Sequence, residues 1–444
     1  MKNVFFAAFF GAACCLSGCR QEAATPATGE HYAFAEEMFR KVWDMYRVPE
    51  YGLFSEYYPN SYRPDVNYFD DGAKSTQEVS FLWPMDGVFT SAVALAEVDP
   101  VKYGCYVDSM VMAVEQYYDD GRMPAGYQAY PVRMGKVDRY YDDNGLVGLA
   151  YVAAYGVTRN PAHLEKAKQV MTFILSGWRP DHDGAVSWLE GVENQKPGCA
   201  NGKAMLLALN LYGATGDPYY LTAGRHFYDW MEAYLHDPEL DIVWNSWLTQ
   251  PEARLDKAVY SYNTGLLLQG AVALYGYTGD RVYLDNARRL AEGARKFYLP
   301  ETEDGAAANR DLPWFYLVLL RGYQALYDLD GDPKYVDIFI RWMDWARRNA
   351  RDAAGLFYND WSGKKDESAT PKWLLDEACI PEYFVRAALI RREVVPAALP
   401  RYDRLRIGRA AMFGGVPRQE WACRCGMGAL PGDNHMIILP GQHL

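Results

Sequence analysis

Tyr141-Asp142-Asp143 sets two carboxylates side by side where a loop passes into an apolar helix. Two neighbouring acids suffice for acid-assisted cleavage of a glycosidic bond. One attacks or stabilises the sugar carbon while the other, kept protonated partly by the first one's charge, donates to the departing oxygen. The same pair also suits a plain helix start, because unpaired N–H groups and the helix dipole stabilise acids there. That reading accounts for one Asp readily and for the second less well. Phe69-Asp70-Asp71-Gly72 and Tyr118-Asp119-Asp120-Gly121 look nearly the same. Glycine after each of these pairs marks a turn, and Asp119-Asp120 runs on into Gly121-Arg122-Met123-Pro124-Ala125-Gly126 with no helical period, so both are expected as solvated turns. Asp142-Asp143 instead feeds an amphipathic helix.

The elements that must position these acids are helices. Apolar residues at three- and four-residue spacing run through 31–46, 78–97, 101–118, 143–157, 161–177 and 200–214. The spacing continues through 218–235, 261–277, 281–298, 312–328, 333–350 and 372–391, with little strand-like alternation. Thr158-Arg159-Asn160-Pro161, Thr215-Gly216-Asp217-Pro218, Thr278-Gly279-Asp280-Arg281 and the stretch 329–334 recur between helices, each joining an inner helix to an outer one. Asn160, Asp217 and Asp332 are expected to cap the following helix, with proline in the first position, where no N–H is needed. Asp328, Asp330 and Asp332 lack the rest of a calcium-loop pattern and read as capping residues. Six such hairpins favour closure, so the expected fold is an all-α (α/α)6 barrel over 31–392. The segments Phe81 to Asp86, Tyr140 to Asn144, Ala185 to Trp188, Ala200-Asn201-Gly202 and Tyr260 to Gly265 are polar and aromatic, and form the expected wall of a funnel.

Composition narrows the function. A chain of 444 residues that is 50% hydrophobic can bury a large core. Its net charge is −12 and Lys and Arg gather into no basic stripe before the final segment, so no nucleic acid is expected as a partner. The 35 Tyr and 13 Trp suit both helix packing and the apolar faces of sugars. Beyond Cys14, Cys15 and Cys19 in the leader, Cys105, Cys199, Cys379, Cys423 and Cys425 are odd in number and widely spaced, and Cys423-Arg424-Cys425 has no metal-ligand spacing. Neither a metal nor a cofactor is expected. His163 and His226 fall on outer helices and His182 and His236 in loops, which leaves no interior histidine pair of the kind a barrel epimerase would use.

The amino terminus reads as a processing signal. Lys2, the short apolar run from Val4 to Leu16 and the tetrapeptide Leu16-Ser17-Gly18-Cys19 describe a signal peptide over 1–19. That tetrapeptide resembles a bacterial lipobox, which makes Cys19 the expected lipidation site and 20–30 a flexible tether; a plain secretory signal is the simpler alternative. Without Asp after Cys19, the expected location is the outer membrane or cell surface. Residues 393–444 have no helical or strand period and are expected as an irregular tail.

Taken in order, Tyr141-Asp142-Asp143-Asn144 before a helix, Ser187-Trp188, Asn201-Gly202, Tyr262-Asn263-Thr264-Gly265 and the recurrent Thr-Gly-Asp turns resemble glycoside hydrolase family 76 over about residues 32–391. The resemblance implies an (α/α)6 fold and retaining endo-α-1,6-mannanase activity on mannan backbones. It places the nucleophile on Asp142 and the general acid/base on Asp143. Trp83, Asp86, Tyr141, Trp188, Asn201, Tyr262 and Asn263 are candidate sugar contacts, each equally open to a packing or capping reading. Family members often follow the acids with a Trp-containing apolar stretch, where this chain has Asn144-Gly145-Leu146-Val147-Gly148. The expected partner is α-mannan or a related α-linked polysaccharide, and the chain is expected to act as a monomer. A catalytically silent glycan-binding lipoprotein and another carbohydrate-active enzyme on the same barrel, such as an unsaturated-uronide hydrolase, are the alternatives.

Overall fold

Helices fill the chain wherever apolar residues recur at helical spacing. In order they are α1 (Glu30–Tyr46), α2 (Leu82–Val98), α3 (Pro100–Val114), α4 (Tyr141–Thr158), α5 (Pro161–Ser176), α6 (Gly198–Thr215) and α7 (Pro218–Tyr234). There follow α8 (Ser261–Thr278), α9 (Arg281–Tyr298), α10 (Pro313–Asp330), α11 (Val336–Asn349), α12 (Leu374–Ala378) and α13 (Ile380–Ile390). The structure is a computed structural model that describes residues 29–62, 65–66, 75–300, 311–363, 367 and 370–397. Cys19 with the leader, Asp70-Asp71, Cys423, Cys425 and the tail after 397 lie outside the described residues.

Burial separates the helices into two rings. Helix α9 buries Tyr283, Leu284, Ala287, Leu290, Ala291, Ala294 and Tyr298, a single stripe at three- and four-residue spacing, as an outer helix must. Helix α8 buries residues on every side, from Ser261 and Asn263 through Leu274, because neighbours cover it all round. Helices α2, α4, α6, α8 and α10 pack successively side by side, and α12 with α13 closes the ring against α2. Helix α1 lies outside α13, and α3, α5, α7 and α9 each lie outside the inner helix that precedes them. The result is the (α/α)6 barrel read from the sequence, with its sixth inner element broken at Cys379.

The recurrent turns all sit at the carboxyl ends of inner helices. Thr215 Oγ1 donates to the Leu211 carbonyl and accepts from the Asp217 N–H at 3.1 Å, while Asp217 Oδ1 accepts from the Tyr219 N–H at 3.0 Å. Thr158 with Asn160, and Thr278 with Asp280, repeat these bonds. The residue between needs a left-handed backbone, which Gly216, Gly279 and Gly331 adopt at φ 70°, 71° and 74° and Arg159 adopts at 58°. Asp332 differs from expectation. It accepts from the Lys334 N–H, but α11 starts later, at Val336, with Tyr335 in the cap position.

Short ladders of two or three residues brace the loops at the opposite end, too short to show an alternating period. One larger hairpin, Ile242–Leu248 against Arg254–Val259, stands before α8 with Gln195–Pro197 paired to its other edge, and was not expected. At the carboxyl end the packed chain runs past the barrel's last helix. Glu393 meets His31 at 2.5 Å, and the Ala397 N–H donates to the Glu97 carbonyl at 2.9 Å.

Candidate active site

With the tight turns at one end, all the long loops and the amino ends of the inner helices gather at the other. The unpaired N–H groups of those helix starts make this end favourable to negative charge. Asp142 and Asp143 occupy the first turn of α4 there. Neither carboxylate is spent on starting the helix, because Asn144 and a backbone bond do that work. Asn144 Oδ1 accepts from the Tyr127 N–H at 2.7 Å, its Nδ2 donates to the carbonyls of Tyr127 and Tyr140, and the Tyr141 N–H donates to the Trp188 carbonyl.

The two acids meet different surroundings. Asp142 Oδ2 lies 3.5 Å from the Lys203 ammonium on α6, while its Oδ1 is buried with no hydrogen-bond partner. Asp143, half-buried at the funnel floor, is pushed up to about 8 by burial and then by the charge of Asp142, against the pull of Lys203. Asp86 on α2 is pushed up to about 7 by burial, against Arg321 and Lys203. Helix proximity thus leaves one acid facing a cation and its neighbour holding a proton near neutrality, the division of labour that acid-assisted substitution requires.

Below the acids the barrel axis holds a cavity of about 250 Å³, lined at its upper end by Asp86, Lys203, Tyr262 and Trp314 and deeper by aliphatic side chains. Arg321 holds Glu382 there in a two-pronged pair at 2.7 and 2.6 Å, and Arg386 joins it. Burial alone would raise the Glu382 carboxyl, but the two guanidinium groups hold it down to about 2.

Aromatic rings line two sides of the funnel. Trp83 packs edge-on to Trp314 and Trp373, both with centroids 5.5 Å away, and stacks on Phe315 at 5.9 Å. Trp188 is 38% exposed and leans on Tyr140 with centroids 4.9 Å apart, next to the start of α4. Its loop is pinned from behind, since Arg139 Nε donates to Glu190 Oε2 at 2.7 Å.

The candidates from sequence therefore divide. Asp142, Asp143 and Asp86 gather about Lys203, Tyr262 is close enough to feel the charge of Asp142, Trp83 stands beside Trp314, and Trp188 leans on Tyr140 next to the start of α4. Tyr141, Asn201 and Asn263 do not join them. Tyr141 is buried against Phe173, and its ring fills the space beside Gly177. Asn201 is buried and ties Val186 N–H and carbonyl and the Pro197 carbonyl to the start of α6, the same clamp that Asn144 makes one hairpin earlier. Asn263 is buried beside Gly198. The expected solvated turn at Asp119-Asp120 is corrected as well. Asp120 is exposed, but Asp119 is buried, caps the Gly121 N–H and pairs with Arg122.

Sequence reading missed Lys203, Trp314 and Trp373. The available signal for Lys203 was a lone charge inside the otherwise apolar run from Gly202 to Leu209, on a helix covered all round. Among the described residues no group of three His, Cys, Asp or Glu side chains is placed to hold a metal ion, and no helix is long and apolar enough to cross a membrane.

A helical barrel with paired acids at the amino end of an inner helix defines a protein of the carbohydrate-processing (α/α)6 class. The chain belongs to glycosyl hydrolase family 76, whose family model matches residues 35–325. It is 27% identical over 259 residues to a mannan endo-1,6-alpha-mannosidase of Eremothecium gossypii, an alignment covering 53% of this chain and 55% of that one. The chain thus spans about half the length of the curated relatives it matches. Among solved structures it resembles a family 76 glycoside hydrolase (mannosidase) of Bacteroides thetaiotaomicron VPI-5482, with TM-score 0.72 and 25% identity over 82% of this chain and 100% of that one. It also resembles, with TM-score 0.67 and 20% identity over 81% of this chain and 100% of the other, an alpha-1,6-mannanase of Salegentibacter sp. HEL1_6. That enzyme was captured with alpha-1,6-mannotriose as an inactive variant in which two consecutive aspartates are replaced by asparagine.

Proposed function

We propose that this protein hydrolyses α-1,6-mannosidic bonds within mannan backbones, with retention of configuration. The observation that carries the reading is the adjacent acid pair in opposed environments, Asp142 with Oδ2 beside Lys203 and Asp143 with its carboxyl pushed up to about 8 by burial and then by the charge of Asp142. Family membership and the activities of the relatives support the same bond and substrate.

Neighbouring residues lie about 3.8 Å apart at Cα, so their carboxyls reach the roughly 5–5.5 Å separation of retaining enzymes rather than the wider gap that admits a water. In the first step a carboxylate oxygen of Asp142 bonds to the anomeric carbon as the glycosidic C–O bond breaks. Asp143 gives its proton to the departing oxygen. In the second step Asp143, now a carboxylate, takes a proton from water as the water oxygen bonds to the anomeric carbon, and the ester's electron pair returns to Asp142. Trp83 and Trp188 offer flat apolar faces to flanking mannose rings, and Tyr262 borders the sugar at the reacting centre.

The glycine-rich stretch after Asp143 does not speak for a silent site. A Cβ at Gly145 would lie 2.7 Å from Lys203 Cβ, and one at Gly148 2.6 Å from a Leu207 methyl. Both glycines let α6 press against α4, and the aromatic surface stands on other elements.

Cys19 within Leu16-Ser17-Gly18-Cys19 supports a lipid anchor on a bacterial outer membrane or cell surface, with the enzyme acting as a monomer on the end of the 20–30 tether. Replacing Cys19 by Ser should then move the protein from the membrane to the soluble fraction. The deciding experiment for activity is product analysis on linear α-1,6-mannan with Asp142→Ala beside the native chain. Loss of oligosaccharide release with folding intact is expected; unchanged turnover refutes the assignment.

A further inference from the structure

Lys203 is a cation where an inner helix has no other reason to carry one. It belongs to the buried face of α6, its side chain is 5% exposed, and its Nζ lies 3.5 Å from Asp142 Oδ2. The indole of Trp314 on α10 stands 5.9 Å from the ammonium. A lysine buried this deeply incurs a large desolvation penalty, and one partly accessible carboxylate offsets little of that for stability alone. Across the helix contact α4 carries Gly145, where a Cβ would lie 2.7 Å from Lys203 Cβ and 3.5 Å from its Cδ.

We propose that Lys203 is a positioning residue for the hydrolytic reaction: its ammonium, 3.5 Å from Oδ2, fixes the orientation of the Asp142 carboxylate. The inference rests on the assignment of Asp142 as nucleophile.

Two consequences follow from charge and geometry. An ammonium beside Oδ2 favours the ionised acid over its ester, so it assists the second step, in which the ester bond to the anomeric carbon breaks and the electron pair returns to Asp142. The groups that face it are Asp142 and Asp143 from α4, Asp86 from α2, Cys199 from its own helix and Tyr262 from α8; Arg321 and Glu382 lie beyond Asp86. Asp143 and Asp86 are both held lower by Lys203 than burial would leave them. Removing the cation therefore moves every neighbouring carboxyl towards its protonated form.

The test compares Lys203→Met, which keeps length and apolar bulk, Lys203→Arg, which keeps charge, and Gly145→Ala, which pushes on the lysine from across the helix contact. Each is followed by the pH profile of kcat/KM on linear α-1,6-mannan oligosaccharides and by near-ultraviolet circular dichroism. For Lys203→Met both limbs should move to higher pH by roughly one to two units, and kcat should fall about tenfold or more through slower deglycosylation, seen as accumulated mannosyl-enzyme by mass spectrometry. Gly145→Ala should shift the limbs in the same direction by less, and Lys203→Arg should restore them at least in part. Limbs that stay in place in a folded Lys203→Met protein overturn the proposal. Should that variant not fold, unmoved limbs in Gly145→Ala overturn it instead. If Asp142→Ala is itself active, the underlying assignment fails; if it is dead while Lys203→Met keeps native limbs, only the role of Lys203 fails.

Discussion

Replacing Asp143 by Asn removes a proton while leaving the shape of the side chain nearly unchanged. In the folded protein this carboxyl is raised from 3.8 to about 8, by burial and then by the charge of Asp142. A raised acid leaves stability intact below its unfolded value and withdraws it as pH climbs towards the folded one, because only the unfolded chain releases the proton in that window. The slope is about 1.4 kcal/mol per pH unit for one proton, so four units set a ceiling of roughly 6 kcal/mol at pH 8. Asp142 shares the same small volume, and relaxation around a coupled pair reduces the effect, so a gain of about 2–4 kcal/mol for Asp143→Asn at pH 8 is the expectation. Urea melts of both proteins at pH 5 and pH 8 measure it. Any fixed cost of burying an amide cancels when the two pH values are compared. Hydrolysis of α-1,6-mannan should drop by about 10²–10⁴-fold, since an amide cannot give its proton to the leaving oxygen. An aryl mannoside whose phenol leaves without help should keep most of its first-step rate. A stability difference that does not grow between pH 5 and pH 8 would show that Asp143 carries no buried proton, and the division of roles within the pair would fall with it.

Trp188→Ala should raise KM for mannan oligosaccharides about five- to tenfold with little change in kcat, measured by initial rates, because it removes the exposed ring proposed as a sugar platform and no reacting group. Asn201→Ala should cost about 1–3 kcal/mol in denaturant unfolding, since it strands the Val186 and Pro197 backbone groups at a buried helix start. Glu382→Gln leaves Arg321 and Arg386 without their shared counter-charge inside the barrel, and roughly 3–5 kcal/mol of destabilisation is expected by thermal or urea melting.

The barrel was readable because helix formation depends on near neighbours. Apolar residues three and four apart mark each helix wherever it lies, and Thr-Gly-Asp turns announce where an inner helix stops, since only a left-handed residue completes that reversal. Local pattern also separated Asp142-Asp143 from Asp119-Asp120, although the reason that Asp119 is not solvated, its pairing with Arg122, involves side chains no periodicity describes. The short ladders stayed hidden because pairs of residues carry no detectable alternation, and the 242–259 hairpin because neither of its strands alternates between a buried and an exposed face.

Site residues were less legible for the same physical reason. Tyr141, Asn201 and Asn263 stand beside true funnel residues in sequence and share their chemistry, yet a helix turns each residue about 100° from the last, so neighbours point into different surroundings. Tyr141 turns into the space beside Gly177 while Asp142 turns towards Lys203. Sequence alone carried the fold class, the place of the two acids at a helix start and the kind of bond they can cleave, all consequences of local pattern. Tertiary structure decided which acid faces a cation and which keeps its proton, because the burial that raises Asp143 and the Lys203 ammonium beside Asp142 both come from packing against other helices. The glycines that looked like a departure at 145 and 148 acquired their meaning from α6, which neither periodicity nor spacing places against them.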